Sequence, residues 1–210
     1  NDDNDDNSNN SENYDIIKFK NASGKHLNIG FKTNNGTMYF YDPMSFGTMS
    51  IYTNINEFIK KINSLGPDIM DPGTSYEEFK NKIMSNSNLN KKIGNVLINQ
   101  KVVSGIGNYL RAEILWLARI SPFRYVKNLK NLELKKIFNM ARHIMWSNYN
   151  IKKGIKLGLV DPKIKSPKDY GLIFFIYKQQ YDPLGNKVST AILHEGTQKR
   201  VIHYVKKIQK

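Results

Sequence analysis

Between Leu97 and Leu117 the chain reads LINQKVVSGIGNYLRAEILWL, two apolar helical stretches joined by a glycine-bearing turn. Gly105 and Gly107, two residues apart, let the main chain turn tightly and let a ligand approach with no Cβ in the way. Asn108 stands where an N-cap belongs, with a side chain able to satisfy a free N–H of the next turn. The N–H groups of that first turn lie at the positive end of the helix dipole and form a ready phosphate site. Lys101, just upstream, adds a point charge for the same phosphate. A G-x-G-N pattern also closes ordinary helix joints, so spacing alone leaves both readings open.

Other chemistries are thinly represented. The chain has no Cys, which excludes a disulfide framework, an iron–sulfur cluster, a thiol nucleophile and a Cys-based zinc site. Its four His form no H-x-H or H-E-x-x-H pattern, and the D-x-D at Asp3–Asp5 lies in a low-complexity acidic run, so no metal site and no cofactor are expected. Charge is more telling. Residues 1–15 hold six acids (Asp2, Asp3, Asp5, Asp6, Glu12, Asp15) and no Lys or Arg, which leaves 32 bases against 12 acids in the rest. A body this basic fits a polyanion, because each Lys or Arg that meets a phosphate releases a counterion. Only five of the bases are Arg: Arg111, Arg119, Arg124, Arg142 and Arg200. No apolar run approaches the roughly 18–20 residues that cross a bilayer, so no membrane partner is expected.

The elements that must position the turn follow from periodicity. With 210 residues, 40% of them apolar and 11% aromatic, the chain can bury a real core. Residues 1–15 read as an acidic, disordered segment. Strands are predicted at 16–20, 26–31, 37–41 and 48–53, with Asn34-Asn35-Gly36 as a hairpin turn. Phe58, Ile59 and Ile62 predict a helix over 56–66 that Gly66-Pro67 stops. Pro67, Pro72 and Gly73 mark a domain junction. Beyond it helices are predicted over 75–84, with Thr74 as N-cap, and over 88–100, 108–120 and 132–147. Residues 154–171 read as loop, and strands are predicted again at 172–182 and 200–208, around a Pro183–Gly185 turn. The two Trp, Trp116 and Trp146, are expected in the core, and Asp182 with Pro183 as turn chemistry.

The wording of the central segment is closer than its spacing. It resembles the helix–two-turn–helix (H2TH) motif of the formamidopyrimidine-DNA glycosylase/endonuclease VIII family, bifunctional enzymes of base-excision repair. Asn108 and Lys101 match the Asn and Lys that contact the DNA backbone in that family, and Glu113 matches its buried acid. KHLNIGFKTNNGTMYFYDPMSFG (25–47) resembles the end of the family's N-terminal β-sandwich, where His26 matches a DNA-contacting His. In the loop that fills the hole left by an extruded nucleotide, Phe46 matches the family's Phe, whereas Met44 replaces its Arg. Met can wedge apolar bulk between bases but cannot donate hydrogen bonds to an orphaned base. IYKQQYDPLGNKV (176–188) and KRVIHYVKKIQK (199–210) are similar to the family's zinc-less finger, with Arg200 matching the Arg at its tip and Tyr177, Lys178 and Gln209 its framework.

The resemblance implies an α+β protein. A partial antiparallel β-sandwich (16–66) precedes a helical H2TH domain (74–160) and a C-terminal zinc-less β-hairpin finger (170–210). It implies DNA glycosylase and AP lyase activity on double-stranded DNA that carries an oxidised base or an abasic site, by a monomer in an intracellular, DNA-containing compartment (the nucleus or a cytoplasmic replication site). DNA contacts are then expected at Lys101, Gly105, Gly107, Asn108, Arg200, His26 and Lys178, with Met44 and Phe46 intercalating. The family's nucleophile is a Pro after the initiator Met, followed by a catalytic Glu. This chain opens Asn1-Asp2 and its first Pro is Pro43, so no catalytic residue is assigned and an N-terminally truncated member is expected. The alternative is a non-catalytic damaged-DNA-binding protein that keeps only the H2TH motif and the finger.

Overall fold

A computed structural model describes residues 15–17, 27–42, 47–151, 174–195 and 198–210. Its contacts divide the chain into two compact units, 1–53 and 54–210. In the first, β1 (Asp15–Ile17), β2 (Leu27–Thr33) and β3 (Gly36–Tyr41) form an antiparallel sheet in that order. The register pairs Ile16 with Phe31 and Thr33 with Gly36, and it shifts between Leu27 and Ile29. The Asn34-Asn35 turn closes through the Thr33 hydroxyl, which donates to Gly36 O (3.0 Å) and accepts from Asn35 N–H (3.2 Å). The strand expected at 48–53 is absent. Met49 and Ile51 are exposed, and strand composition alone, without burial of one face, does not make a strand.

The second unit is helical with a hairpin at its end: α1 (Ile55–Asn63), α2 (Tyr76–Ile83), α3 (Ile93–Val96), α4 (Asn108–Ala118), α5 (Asn131–Ile151), β4 (Ser189–Glu195) and β5 (Gln198–Tyr204). The helix expected over 56–66 is α1, capped by the Asn54 side chain on Asn56 N–H, but its apolar face, Phe58, Ile59 and Ile62, stays about half exposed. At the next helix Ser75, not Thr74, is the N-cap and accepts from Glu78 N–H. The Thr74 hydroxyl instead donates backward to Asp68 O at 2.6 Å.

The single helix expected over 88–100 shrinks to the four residues of α3. Local amides compete for the backbone on both sides. Asn88 Nδ2 donates to Lys82 O and Ser85 Oγ, and Asn99 Oδ1 takes Lys101 N–H. α4 is buried on nearly all faces, Leu110, Ala112, Ile114, Leu115, Trp116 and Ala118 among them, and so is the centre of the core. α5 packs on it with Leu134, Ile137, Phe138, Ala141, Ile144 and Met145 at helical spacing. Trp116 is buried as expected, whereas Trp146 is half-buried and meets Tyr149 edge-on.

Residues 174–180 are not the strand expected at 172–182; the hairpin is β4 and β5, paired from Ser189↔Tyr204 to Glu195↔Gln198. Alternation turns Leu193 and Ile202 inward and leaves Ile192 and Val201 outward. The last residues clip onto the end of α4. Gln209 Nε2 donates to Ile120 O (2.9 Å), its Oε1 accepts from Val205 N–H (2.6 Å), and Ser121 N–H donates to Lys210 O (2.9 Å).

Gly66 does more than stop a helix. Its N–H donates to Gln100 O (2.8 Å), and a Cβ there would lie 2.3–2.5 Å from the Val102 and Val103 main chain. Gly66→Ala is therefore expected to force the main chain beside Lys101 to shift and to lower stability by about 1–3 kcal/mol. Thermal unfolding monitored by circular dichroism measures it; a loss within 0.5 kcal/mol, the range of a neutral surface change, would contradict this packing.

Candidate nucleic-acid interface

The polar turn is braced from within. Gln100 Nε2 donates to Ile106 O (2.8 Å) and Ile98 O (3.0 Å), while its Oε1 accepts from Gly105 N–H (3.0 Å). Gly105 sits at φ +86, where only a residue without a Cβ is unstrained, and a Cβ would meet Met145 Cε at 2.9 Å. Ser104 N–H donates to Pro67 O, which ties the turn to the segment entering α2. Lys101 is exposed on this turn.

Asn108 is not the N-cap. Gly107 takes that place in extended conformation with no side-chain cap, and Asn108 is the first residue of α4. Its Oδ1 is taken instead by Arg111 Nη2. A guanidinium only donates, so it holds the carboxamide with the oxygen inward and the NH2 as its outer end, a hydrogen-bond donor for an anion. The first-turn N–H groups have no intrahelical acceptor, as at any helix start.

Two charged residues of α4 reach the rest of the site. Arg111 is 1% exposed; it also donates to Gly94 O of α3 (3.0 Å) and Val201 O of β5 (3.3 Å). Glu113, fully buried, accepts three N–H groups from the segment that leads into the hairpin: Phe175 at 2.9 Å on Oε2, and Ile176 (3.1 Å) and Tyr177 (2.8 Å) on Oε1. Burial pushes its carboxyl up to about 7, against the pull of those three donors. Beside them the rings of Tyr109, Phe174 and Tyr177 cluster at 5.3–6.2 Å, and Tyr177 meets His203 at 5.0 Å. Burial, assisted by the Lys178 ammonium, lowers the His203 pKa from its ordinary 6.5 and favours the neutral ring. Lys178 is exposed in left-handed conformation (φ 59), with Nζ 5.7 Å from the Tyr177 ring centroid.

Arg200 is exposed on β5, opposite Leu193 and next to the Val201 carbonyl that Arg111 holds. The structure thus places Lys101, Gly105, Gly107 and Asn108 on one turn, and Arg200 on a hairpin strand joined to that turn through a single guanidinium. His26, Met44 and Phe46 lie outside the described residues. Sequence reasoning missed the parts that brace the site, Gln100, Arg111 and the indole contact of Asp182 described below. Of these, only Arg111 carried a signal, as a cation within a nearly all-apolar helix. Among the described residues no group of three or more His, Asp or Glu is arranged to hold a metal ion, and no helix is long and apolar enough to cross a membrane.

Residues 65–158 match the formamidopyrimidine-DNA glycosylase H2TH domain, which defines the class of the helical unit. The formamidopyrimidine-DNA glycosylase of Oceanobacillus iheyensis is 29% identical over 166 residues, 76% of this chain and 56% of that protein. Endonuclease 8 of an Enterobacter species is 29% identical over 113 residues, 54% of this chain and 40% of that protein. The Lactococcus lactis Fpg in complex with DNA containing an abasic site superposes with a TM-score of 0.66 at 20% identity, over 94% of this chain and 71% of that one. This last likeness establishes a shared mixed α and β fold. The helical unit thus carries the H2TH domain of the formamidopyrimidine-DNA glycosylases, and the chain spans about half the length of these curated relatives.

Proposed function

We propose that these 210 residues are the DNA-holding part of a base-excision glycosylase with AP lyase activity, and that they bind duplex DNA at a damaged base or an abasic site. The observation that carries this reading is the braced Gly105–Asn108 turn, its Asn108 oxygen held by Arg111, on a body that also exposes Lys101 and Arg200. Lys101 and the first-turn N–H groups of α4 serve one backbone phosphate, with Asn108 Nδ2 as an added donor. Arg200 and Lys178 serve the strand along the hairpin. The hairpin stands without zinc: the chain has no Cys, and buried Leu193, Ile202 and Val205 with the Gln209 clip supply the packing that a metal would otherwise give. The reading concerns how DNA is held and assigns no chemical step to these residues.

Gel-shift and borohydride trapping on one abasic-site duplex test the reading together. Retarded DNA without a trapped covalent adduct is expected; no preference for the abasic duplex over an intact one would refute it. Arg200→Ala is expected to weaken binding about 10-fold, against about 2-fold for Lys206→Ala, because a forked guanidinium at a fixed place outweighs one more surface ammonium. Equal losses would reduce the hairpin to bulk charge.

A further inference from the structure

We infer that Arg111 is a positioning residue that makes the H2TH turn and the hairpin a single rigid DNA clamp. The inference rests on the proposed function and adds how its two contact elements act together. Arg111 is 1% exposed, so it touches no DNA itself. Its guanidinium reaches three separate elements: the Asn108 carboxamide at the start of α4, Gly94 O in α3, and Val201 O in β5. Two of these are the immediate supports of the candidate DNA contacts, because Asn108 is one of them and Val201 follows Arg200 in the chain.

Burying a guanidinium is by itself a poor route to stability, since an apolar side chain of the same volume often serves as well. What the planar fork supplies is geometry: donors at fixed angles that hold three backbones in one arrangement. It also sets which end of the Asn108 amide faces outward. A duplex that meets Lys101 and Asn108 then finds Arg200 already in place, and the second contact forms at high effective concentration.

The chain has no Cys, so nitroxides at Lys101→Cys and Lys199→Cys report the distance between turn and hairpin by double electron–electron resonance without DNA. A narrow distribution is expected with Arg111 in place and a clearly broadened one in Arg111→Met, at unchanged helical content. Binding to the abasic-site duplex gives the second reading. Arg200→Ala should weaken binding about 10-fold in the Arg111 background but at most about 3-fold in Arg111→Met, because a loosened clamp loses effective concentration. A residue that only stabilises the fold would scale both affinities equally and leave that ratio unchanged. If Arg111→Met does not fold, Arg111→Lys keeps the charge but lacks the fork, and the same broadening is expected. A distribution as narrow as the parent's in the folded variant overturns the inference. If the parent chain binds no DNA, the proposed function falls while the distance measurement still decides the clamp.

Discussion

Glu113→Ala is expected to lower the stability of the helical unit by about 3–5 kcal/mol and to free the segment 175–177 from α4, the largest effect of any single substitution in the site. The carboxyl is fully buried and satisfies three consecutive main-chain N–H groups, those of Phe175, Ile176 and Tyr177. Truncation leaves all three without an acceptor in a place water does not reach. Denaturant unfolding measures the loss, and hydrogen exchange at Ile176 and Tyr177 locates it; retained protection at those amides would show that Glu113 does not hold the segment.

The same carboxyl links stability to pH. Its folded-state value is pushed up to about 7 from an ordinary 4.5, so between those values the folded chain keeps a proton that the unfolded chain has released. Stability attributable to this group is therefore full below pH 4.5, falls as pH rises, by up to about 1.4 kcal/mol per pH unit, and levels above pH 7. His203 has the opposite sign: its pKa is lowered, so its contribution is present above 6.5 and declines as pH falls. Glu113→Gln cancels only the first, and the difference between parent and variant across pH 5–7 isolates it. Parallel pH profiles would mean that Glu113 does not titrate in that range.

Asp182→Ala is expected to cost about 3 kcal/mol and to shift Trp fluorescence to the red. The sequence marks Asp182 as a turn residue; the structure adds the indole of Trp116, sixty-six residues away, whose Nε1 donates to Oδ2 at 3.1 Å. Leu184 N–H (3.0 Å) and Asn186 N–H (2.7 Å) bond Oδ1, and Asn186 Nδ2 reaches both oxygens. Burial alone would raise this carboxyl's pKa, but the bonds from Asn186, Trp116 and Leu184 outweigh it and hold it below 3.8. Its stabilisation is thus present above that pH and is lost as the group protonates, opposite in sign to Glu113. An unshifted emission maximum in Asp182→Ala would mean that the indole keeps a comparable environment without the carboxylate.

The errors at sequence level share one cause. The 48–53 segment has strand composition yet leaves Met49 and Ile51 exposed, and 88–100 has helical apolar spacing interrupted by Asn88 and Asn99, whose side chains take main-chain groups for themselves. At 172–182, a run rich in Ile, Phe and Tyr reads as a strand, yet the N–H groups of Phe175, Ile176 and Tyr177 are spent on Glu113 and not on a ladder. Asn108 follows the same logic: its type suits a cap, but Gly107 already provides the extended cap backbone and Arg111 draws the Asn oxygen inward.

By itself the sequence determined the strand character of β5 near the C-terminus, the apolar period of α4 and α5, the glycines at 105 and 107, the basic body and the resemblance to the H2TH motif. These are local patterns, readable because strand and helix periods, turn conformations and charge depend on neighbours along the chain. The tertiary structure alone decided which donors and acceptors meet. Arg111 with Val201, Glu113 with Phe175–Tyr177, and Trp116 with Asp182 are separated by 90, 62 to 64, and 66 residues. Each becomes a partner only when burial removes water and leaves a polar group no other place to bond.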